Sequence, residues 1–414
     1  MIESGIRVQE YVARRGRLLR ALRGRVGLVL AGSGGSALLG RWRADSDFFY
    51  LTGIADEPGA SLLLDPKAED PRRRCVLFLK PRDPELERWD GFRDPIGQRL
   101  KTQTGFESIM RTGSLGRMLL MAARRSKALA CLHPFASHDR PVSGDLEIFR
   151  KVASRVVGAQ ISDATDLIPR MRAVKSAGEL RLMRRAIRAT AAGFDAALEV
   201  IAPGARERDI QRAIERAFED NGASGPAYNT IVGSGVRGTV LHYMANAAQA
   251  EDGDLLVIDA GAYVGHYAAD VTRTYPVSGR FTKEQSALYT TVLKAQAAAI
   301  RAVRPGATLV DIDRAARRVI DQAGHADAFM HGIGHHLGLE VHDATPDGKL
   351  EPGMVLTIEP GIYLEDRRIG IRIEDDVLVT HDGRRNLTSA IGKSIQEIES
   401  AIALARRRHR RTRG

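Results

Sequence analysis

Two stretches of this 414-residue chain lie about a hundred residues apart and read almost as copies, each ending an apolar run on an acid. The first is Gly253-Asp254-Leu255-Leu256-Val257-Ile258-Asp259-Ala260-Gly261; the second is Gly353-Met354-Val355-Leu356-Thr357-Ile358-Glu359-Pro360-Gly361. Asp259 is followed by Asp270, and Glu359 by Glu374. A run such as 255–258 has the composition of a buried strand. An acid at the end of such a strand must be paired, protonated or bound to a metal, and four acids in two pairs favour the metal.

Numbering gives the hairpin geometry. Asp259 and Asp270 are symmetric about the Val264 and Gly265 midpoint, so a regular antiparallel hairpin puts them directly opposite each other. Glu359 and Glu374 are symmetric about Asp366 and Arg367, with a longer loop. Opposed Cβ atoms stand about 4.5 to 5.5 Å apart, near enough for two carboxylates to share a cation. The segment Met330-His331-Gly332-Ile333-Gly334-His335-His336-Leu337-Gly338-Leu339-Glu340-Val341-His342-Asp343 holds four of the eleven histidines. Its glycines permit close backbone approach, so the segment is expected to line a cleft. One histidine added to the four acids makes a mostly hard-oxygen donor set. That set suits Mn²⁺ better than a structural zinc, while Co²⁺, Fe²⁺ or Zn²⁺ can occupy it. Acids shared in pairs imply two ions about 3.5 to 4 Å apart, holding a bridging water or hydroxide as nucleophile.

The elements that must position these groups fall into two domains. Up to about residue 161, short apolar runs at 26–31, 61–64, 75–79 and 128–132 alternate with helical patterns such as 12–22, the signature of an α/β domain. Residues 163–169 read as a connection, and 178–201 as a long amphipathic helix with Leu180, Met183, Ile187 and Phe194 on one face. The second domain carries an internal repeat. Pro203-Gly204-Ala205 with Asp209-Ile210 and Ala213 recurs as Pro305-Gly306-Ala307 with Asp311-Ile312 and Ala315, and His242 recurs as His342. The order helix, helix, histidine, strand, hairpin thus occurs twice, which implies two half-domains facing each other across a pseudo-twofold axis. The expected divisions are 1–165, 166–400 and a basic tail, 401–414.

Composition narrows the class. Hydrophobic residues make up 43% of the chain and charged residues 27%, the balance of an ordinary globular protein. No run of about 18 apolar residues occurs, so no membrane span is expected. Residues 1–25 are basic but lack the apolar segment and small-residue cleavage site of a secretory signal. Cys75 and Cys131 form no CxxC pair, which excludes a disulfide framework and a cysteine zinc site; a cytoplasmic enzyme is expected. Of the net charge of +11, Arg406, Arg407, Arg408, Arg410, Arg411 and Arg413 supply six, leaving about +5. The tail is therefore expected to be solvated and mobile, with no nucleic-acid partner and no membrane partner. Gly233-Ser234-Gly235 lacks the GxxxxGK[ST] pattern, so no nucleotide site is expected.

At this point the motifs resemble a known family. Tyr228-Asn229-Thr230-Ile231-Val232-Gly233-Ser234-Gly235, Leu241-His242-Tyr243, Asp259-Ala260-Gly261, Asp270-Val271-Thr272-Arg273-Thr274, His331-Gly332-Ile333-Gly334-His335, Thr357-Ile358-Glu359-Pro360-Gly361 and Ile371-Arg372-Ile373-Glu374-Asp375 are similar to those of the creatinase and aminopeptidase "pita-bread" metallopeptidases. The likeness is greatest to the aminopeptidase P (Xaa-Pro aminopeptidase) group. Ser46-Asp47-Phe48-Phe49-Tyr50-Leu51-Thr52-Gly53 is similar to that group's first domain. The resemblance implies an α/β (α+β) chain: an amino-terminal creatinase-like α/β domain, then a pseudo-twofold pita-bread catalytic domain. It implies a metallo-aminopeptidase that hydrolyses the bond between an N-terminal residue and a following proline, using two divalent ions.

Residue by residue, the resemblance implies that Asp259 holds one ion, that His335 and Glu359 hold the other, and that Asp270 and Glu374 bridge them. It sets His242 and His342 beside the scissile peptide, His331 on the proline side, and Tyr228 and Arg372 near the metals. Glu359 becomes the proton shuttle. Strand alternation independently turns Arg372 to the same side as Glu374, as a partner for the acids. Trp89 is implied to reach the active site of a neighbouring subunit in a dimer or tetramer. Prolidase, which cleaves only the X-Pro dipeptide on the same fold, stays open as an alternative because loops 344–349 and 364–368 are short beside the group's usual pattern. A catalytically silent pita-bread binding protein is the remaining alternative; methionine aminopeptidase fits less well because it usually lacks the long first domain.

Overall fold

The computed structural model describes residues 5–32, 42–134, 138–139 and 141–413, with side chains left undescribed at Asp90 and from residue 409 onward. The chain divides into two compact units, Met1–Arg172 and Ala173–Gly414.

The first unit is built on one six-stranded sheet: β1 (Val26–Leu30), β2 (Ser61–Leu64), β3 (Cys75–Leu79), β4 (Ser108–Arg111), β5 (Ala128–Cys131) and β6 (Gln160–Asp163), in the order β4-β3-β2-β1-β5-β6. The pairs β1/β2 and β2/β3 are antiparallel and the others parallel. The apolar runs at 61–64 and 75–79 form strands over those same residues. The edge strands β4, half polar (Ser-Ile-Met-Arg), and β6, polar but for Ile161 (Gln-Ile-Ser-Asp), gave no apolar run to read. The helix Ser46–Thr52 starts where Asp45 accepts the amides of Asp47 and Phe48, at 2.9 and 3.2 Å. Asp47, buried on that helix, pairs with Arg172 at 2.8 Å.

In the second unit the sequence repeat has a structural counterpart. Helices Ala177–Val200 and Glu207–Asp220 form one pair, Lys283–Ala302 and Leu309–Gln322 the other. Capping boxes at Ser176 with Glu179, Thr282 with Gln285 and Thr308 with Asp311 fix three of the four starts. Each pair is joined through a glycine in the left-handed region, Gly204 at φ 83° and Gly306 at φ 85°. The Gly204 amide donates to Ala250 O (2.8 Å) and the Gly306 amide to Leu350 O (2.9 Å), the same bond in each half.

Each half then contributes a hairpin. The first comprises β7 (Ile231–Ser234), β8 (Leu255–Ala260), β9 (Tyr263–Val264), β10 (Tyr267–Ala268) and β11 (Val271–Pro276); the second comprises β12 (Val355–Ile358), β13 (Gly361–Leu364), β14 (Ile369–Arg372), β15 (Asp375–Thr380) and β16 (Gly383–Asn386). The sheets run β11-β8-β7 and β12-β15-β16, with β9/β10 and β13/β14 as hairpin tips. The returning strands touch: the Glu374 amide donates to Thr272 O (3.0 Å), and the Thr274 hydroxyl donates to Arg372 O (3.0 Å). An apolar core that includes Phe194, Phe218, Ile258, Tyr289, Ile320, Ile358 and Ile371 backs both sheets.

Two expectations are corrected. Residues 401–413 are not a separate tail, because they continue a helix, Ile395–Arg413. Ile398, Ile402 and Ala405 are buried at helical spacing, and Arg406 donates to Ser278 O and Val277 O, both at 2.6 Å. The side chains of Arg410, Arg411 and Arg413 lie outside the described residues. The second correction concerns hairpin register. β8 pairs Asp259 with Thr272, and β9 pairs Val264 with Tyr267, so the turn is Gly265-His266 and Asp270 sits diagonally from Asp259. Both turn residues have positive φ, 55° and 70°, the type I′ geometry that suits the twist of a two-residue hairpin. In the second hairpin, Ile358 pairs with Asp375 and Gly361 with Arg372, which leaves Glu359 and Glu374 at opposed positions. Among the described residues no helix is long and apolar enough to cross a membrane.

Candidate metal centre

The register correction leaves the first pair of acids on one face. Residues 259, 270 and 272 share a side of the hairpin, because the 259/272 pair is opposed and 270 is two positions from 272. The phenol oxygen of Tyr228 lies 2.5 Å from an oxygen of Asp259 and 2.5 Å from one of Asp270. From the second hairpin, Glu374 accepts the Thr272 hydroxyl at 2.7 Å. Thus Thr272, opposite Asp259 in one hairpin, holds an acid of the other.

His335 completes the cluster. Its Nδ1 faces His336 O at 3.1 Å; a carbonyl can only accept, so Nδ1 carries the proton and Nε2 presents a lone pair. That lone pair stands 3.5 Å from Asp270 Oδ2 and 3.6 Å from Glu359 Oε1. Burial pushes the His335 imidazole down to about 4, so it is neutral at neutral pH. Ligand atoms of Asp270, His335 and Glu374 all lie within 4.8 Å of one another. Burial, reinforced by the other acids, pushes Asp270 and Glu374 well above the ordinary carboxylate range; burial above all brings Glu359 up to about 7. Acceptors converging on acceptors in a buried site are what a divalent cation relieves, so the donor set fits a metal.

The repeat also explains why only one half supplies a histidine. Residues 333–337 run along β12 as β7 runs along β8: the Thr357 amide donates to His335 O (2.9 Å), and a bridge pairs His336 with Leu356 as β7 pairs Ser234 with Leu256. His335 therefore occupies the place that Gly233 holds in the first half. A Cβ on Gly233 would come within 2.9 Å of Arg237 O, so that half has no room for a side chain.

Arg372 donates to Asp259 Oδ2 (2.7 Å), to the Thr272 hydroxyl (3.2 Å) and to Tyr363 Oη (3.1 Å). His331 Nδ1 faces the carbonyl of Gly332 (2.9 Å) and must donate to it, so Nε2 accepts from Tyr363 Oη (2.8 Å). Burial, then the nearby Arg372 charge, brings His331 down to about 4. Both its nitrogens are occupied, which leaves the ring itself as the contact surface, flanked by Phe329 and Tyr363 with centroids 5.0 and 5.5 Å away. The His342 ring lies 4.2 Å from that of His335. His242 is exposed. Trp89 belongs to the first unit, where it is 85% exposed.

Tyr363 was missed in the sequence. Its signal was strand alternation: 359, 361 and 363 share a face, and the Gly361 to Arg372 pairing keeps Tyr363 beside Arg372.

A model described as metallopeptidase family M24 matches residues 181–381, which makes the unit that holds these acids a metallopeptidase domain. A second, described as the aminopeptidase P N-terminal domain, matches residues 11–130. The Xaa-Pro aminopeptidase of Escherichia coli is 36% identical over 401 residues, covering 88% of this chain and 90% of that one. The chain belongs to the Xaa-Pro aminopeptidase (aminopeptidase P) family. The structure of E. coli aminopeptidase P with the inhibitor Pro-Leu superposes with a TM-score of 0.86 at 34% identity, covering 98% of this chain and 100% of that one. An Xaa-Pro dipeptidase of Pyrococcus furiosus is 40% identical over 228 residues, 54% of this chain and 65% of its own length.

Proposed function

We propose that this protein is an aminopeptidase that removes the first residue from peptides with proline in second position, using two divalent ions, of which Mn²⁺ suits the oxygen-rich donors best. The observation that carries the reading is the neutral His335 lone pair aimed at Asp270 and Glu359, two of the four clustered acids. In this reading Asp259 would hold one ion and His335 and Glu359 the other, with Asp270 and Glu374 available to both. Bound there, divalent ions would supply Lewis-acid polarisation of the scissile carbonyl and a water acidic enough to attack at neutral pH.

The chain's own residues do the rest. Arg372 and Tyr228 hold Asp259 and Asp270 in place. Glu359 takes the proton of the attacking water and passes it to the leaving nitrogen. His242 and His342 donate to the substrate's carbonyl oxygens on either side of the cut. His331 packs its ring against proline, which offers no amide hydrogen for a polar contact. Its hydrogen bonds to Gly332 and Tyr363 fix that ring's orientation.

The short 364–368 loop, a single 3₁₀ turn at Glu365–Arg367, is the feature that favours the prolidase alternative. The deciding measurement compares X-Pro-Y tripeptides with X-Pro dipeptides on chelator-stripped enzyme reloaded with Mn²⁺. Tripeptide cleavage with dipeptides spared is the expected result; the reverse preference replaces this reading with prolidase. Trp89 and Phe92, 85% and 92% exposed, are proposed to be covered in a dimer or tetramer in which Trp89 lines a neighbour's site. Light scattering that gives a monomer mass would sink that part.

A further inference from the structure

After β7 and a 3₁₀ turn at Gly235–Thr239, the segment that carries His242 forms no helix or strand between Val240 and Ala250, and its one bridge, Gln249 with Arg206, lies at its far end. Such a segment would hold a catalytic side chain poorly unless something pins it. One fully buried carboxylate does so. Glu207, the first residue of the helix Glu207–Asp220, accepts the Ser234 amide (2.9 Å) and hydroxyl (2.7 Å) on Oε1, and the Tyr243 hydroxyl (2.9 Å) and Ala248 amide (2.9 Å) on Oε2. Oε1 is thus tied to the end of β7 and Oε2 to the loop, one residue beyond His242. The Tyr243 oxygen in turn accepts the Ala247 amide (3.1 Å), which closes the loop on itself. Asn246, buried at φ 46°, adds bonds from the Val232 amide (3.0 Å) and to Thr230 O (2.7 Å).

We infer that Glu207 is the positioning residue for His242: it fixes the His242 loop through Tyr243 and Ala248 without touching substrate or metal. The inference rests on the reading of His242 as a substrate contact. Four donors converge on two carboxylate oxygens, which only the ionised acid satisfies in full. In Glu207→Gln one oxygen becomes an NH₂ group. Whichever way the amide turns, the Ser234 or the Ala248 backbone N–H faces a nitrogen.

The test is a kinetic cycle on full-length, metal-loaded enzyme with an X-Pro-Y tripeptide, combining Glu207→Gln with His242→Ala, alongside amide exchange over residues 241–249. Glu207→Gln alone should lower kcat/KM roughly 10- to 100-fold, the range for groups that orient a working side chain. In the His242→Ala background it should cost almost nothing more, because the side chain it serves is gone. Exchange at the Ala247 and Ala248 amides should quicken while metal content stays at wild-type level. An equal fold-loss in both backgrounds, or unchanged exchange, overturns the inference, since a merely structural acid would act independently of His242. If Glu207→Gln does not fold, Tyr243→Phe removes the phenol alone and runs the same cycle, with a smaller loss that again vanishes beside His242→Ala. A wild-type enzyme that leaves the tripeptide uncut sinks the aminopeptidase reading and this inference with it. A wild type that cuts, with additive variants, sinks only the role of Glu207.

Discussion

Asp270→Asn is expected to remove more than about 100-fold of kcat/KM on X-Pro-Y tripeptides, since replacing a group that merely orients a metal ligand already costs about 10- to 100-fold. Asp270 sits where several groups converge: Tyr228 Oη at 2.5 Å, His335 Nε2 at 3.5 Å, and Glu374 within the same ligand cluster. Asparagine keeps the volume but drops the charge, and it can turn an NH₂ group toward a cation. The metal-free variant carries a distinguishing signature. Burial and the neighbouring acids push Asp270 far above its ordinary range, so ionising the four-acid cluster without a cation opposes folding. Metal-free Asp270→Asn should therefore be at least as stable as metal-free wild type, and only the wild type should gain stability from added Mn²⁺. A variant that binds metal with wild-type stoichiometry and cuts normally would remove Asp270 from the site.

The acids were legible because duplication wrote them twice. An apolar run that stops on Asp259, and its echo that stops on Glu359, carried the fold of the second unit and four of its proposed ligands together. What escaped depended on turn chemistry and on long-range packing. The first hairpin turns at Gly265-His266, and a histidine at φ 70° gives no sign of the Asn or Gly that a type I′ turn usually shows. A midpoint argument therefore misplaced the register by two residues, Thr272 rather than Asp270 standing opposite Asp259, and Asp270 kept its face because side chains alternate. Glu207 escaped for a different reason: its partners are 27 to 41 residues away and nothing local marks it, whereas Tyr363, with partners 9 to 32 residues away, had only strand alternation to point to it. The helix Ile395–Arg413 was hidden by its arginines, which drew the eye from the Ile398, Ile402 and Ala405 stripe that seats it.

Behind the proposed bridging acids lies a second charge cluster, and Asp375→Ala there should cost about 3 to 5 kcal/mol of folding stability. Asp375 follows Glu374 and points to the opposite side, where it accepts Arg273 Nη2, the Thr388 hydroxyl and Asn386 Nδ2, each at 2.8 Å, as well as Lys393 Nζ. Arg273 and Asp375 are both wholly buried. Against an overall stability of about 5 to 15 kcal/mol, an uncompensated guanidinium there is a large fraction, read as a lower urea midpoint at fixed metal concentration. Replacing the pair by apolar residues, often harmless elsewhere, should not rescue it. Arg273 also donates to Thr272 O, Glu374 O and Ile391 O, which an apolar side chain would leave unpaired. The pH dependence has a definite sign. Burial raises the Asp375 carboxyl, but Arg273 and Lys393 outweigh it and hold the group below its ordinary value. Its contribution is therefore complete above the unfolded value of about 3.9 and fades as pH falls through the lower folded one. The stability gap between wild type and Asp375→Ala should be full at neutral pH and narrow only below about pH 4. A gap that is already small at pH 7 would mean that the charge of Asp375 is not what holds β11 against β15, and that the two hairpins are held by their backbone bonds and those of Thr272, Thr274 and Arg372.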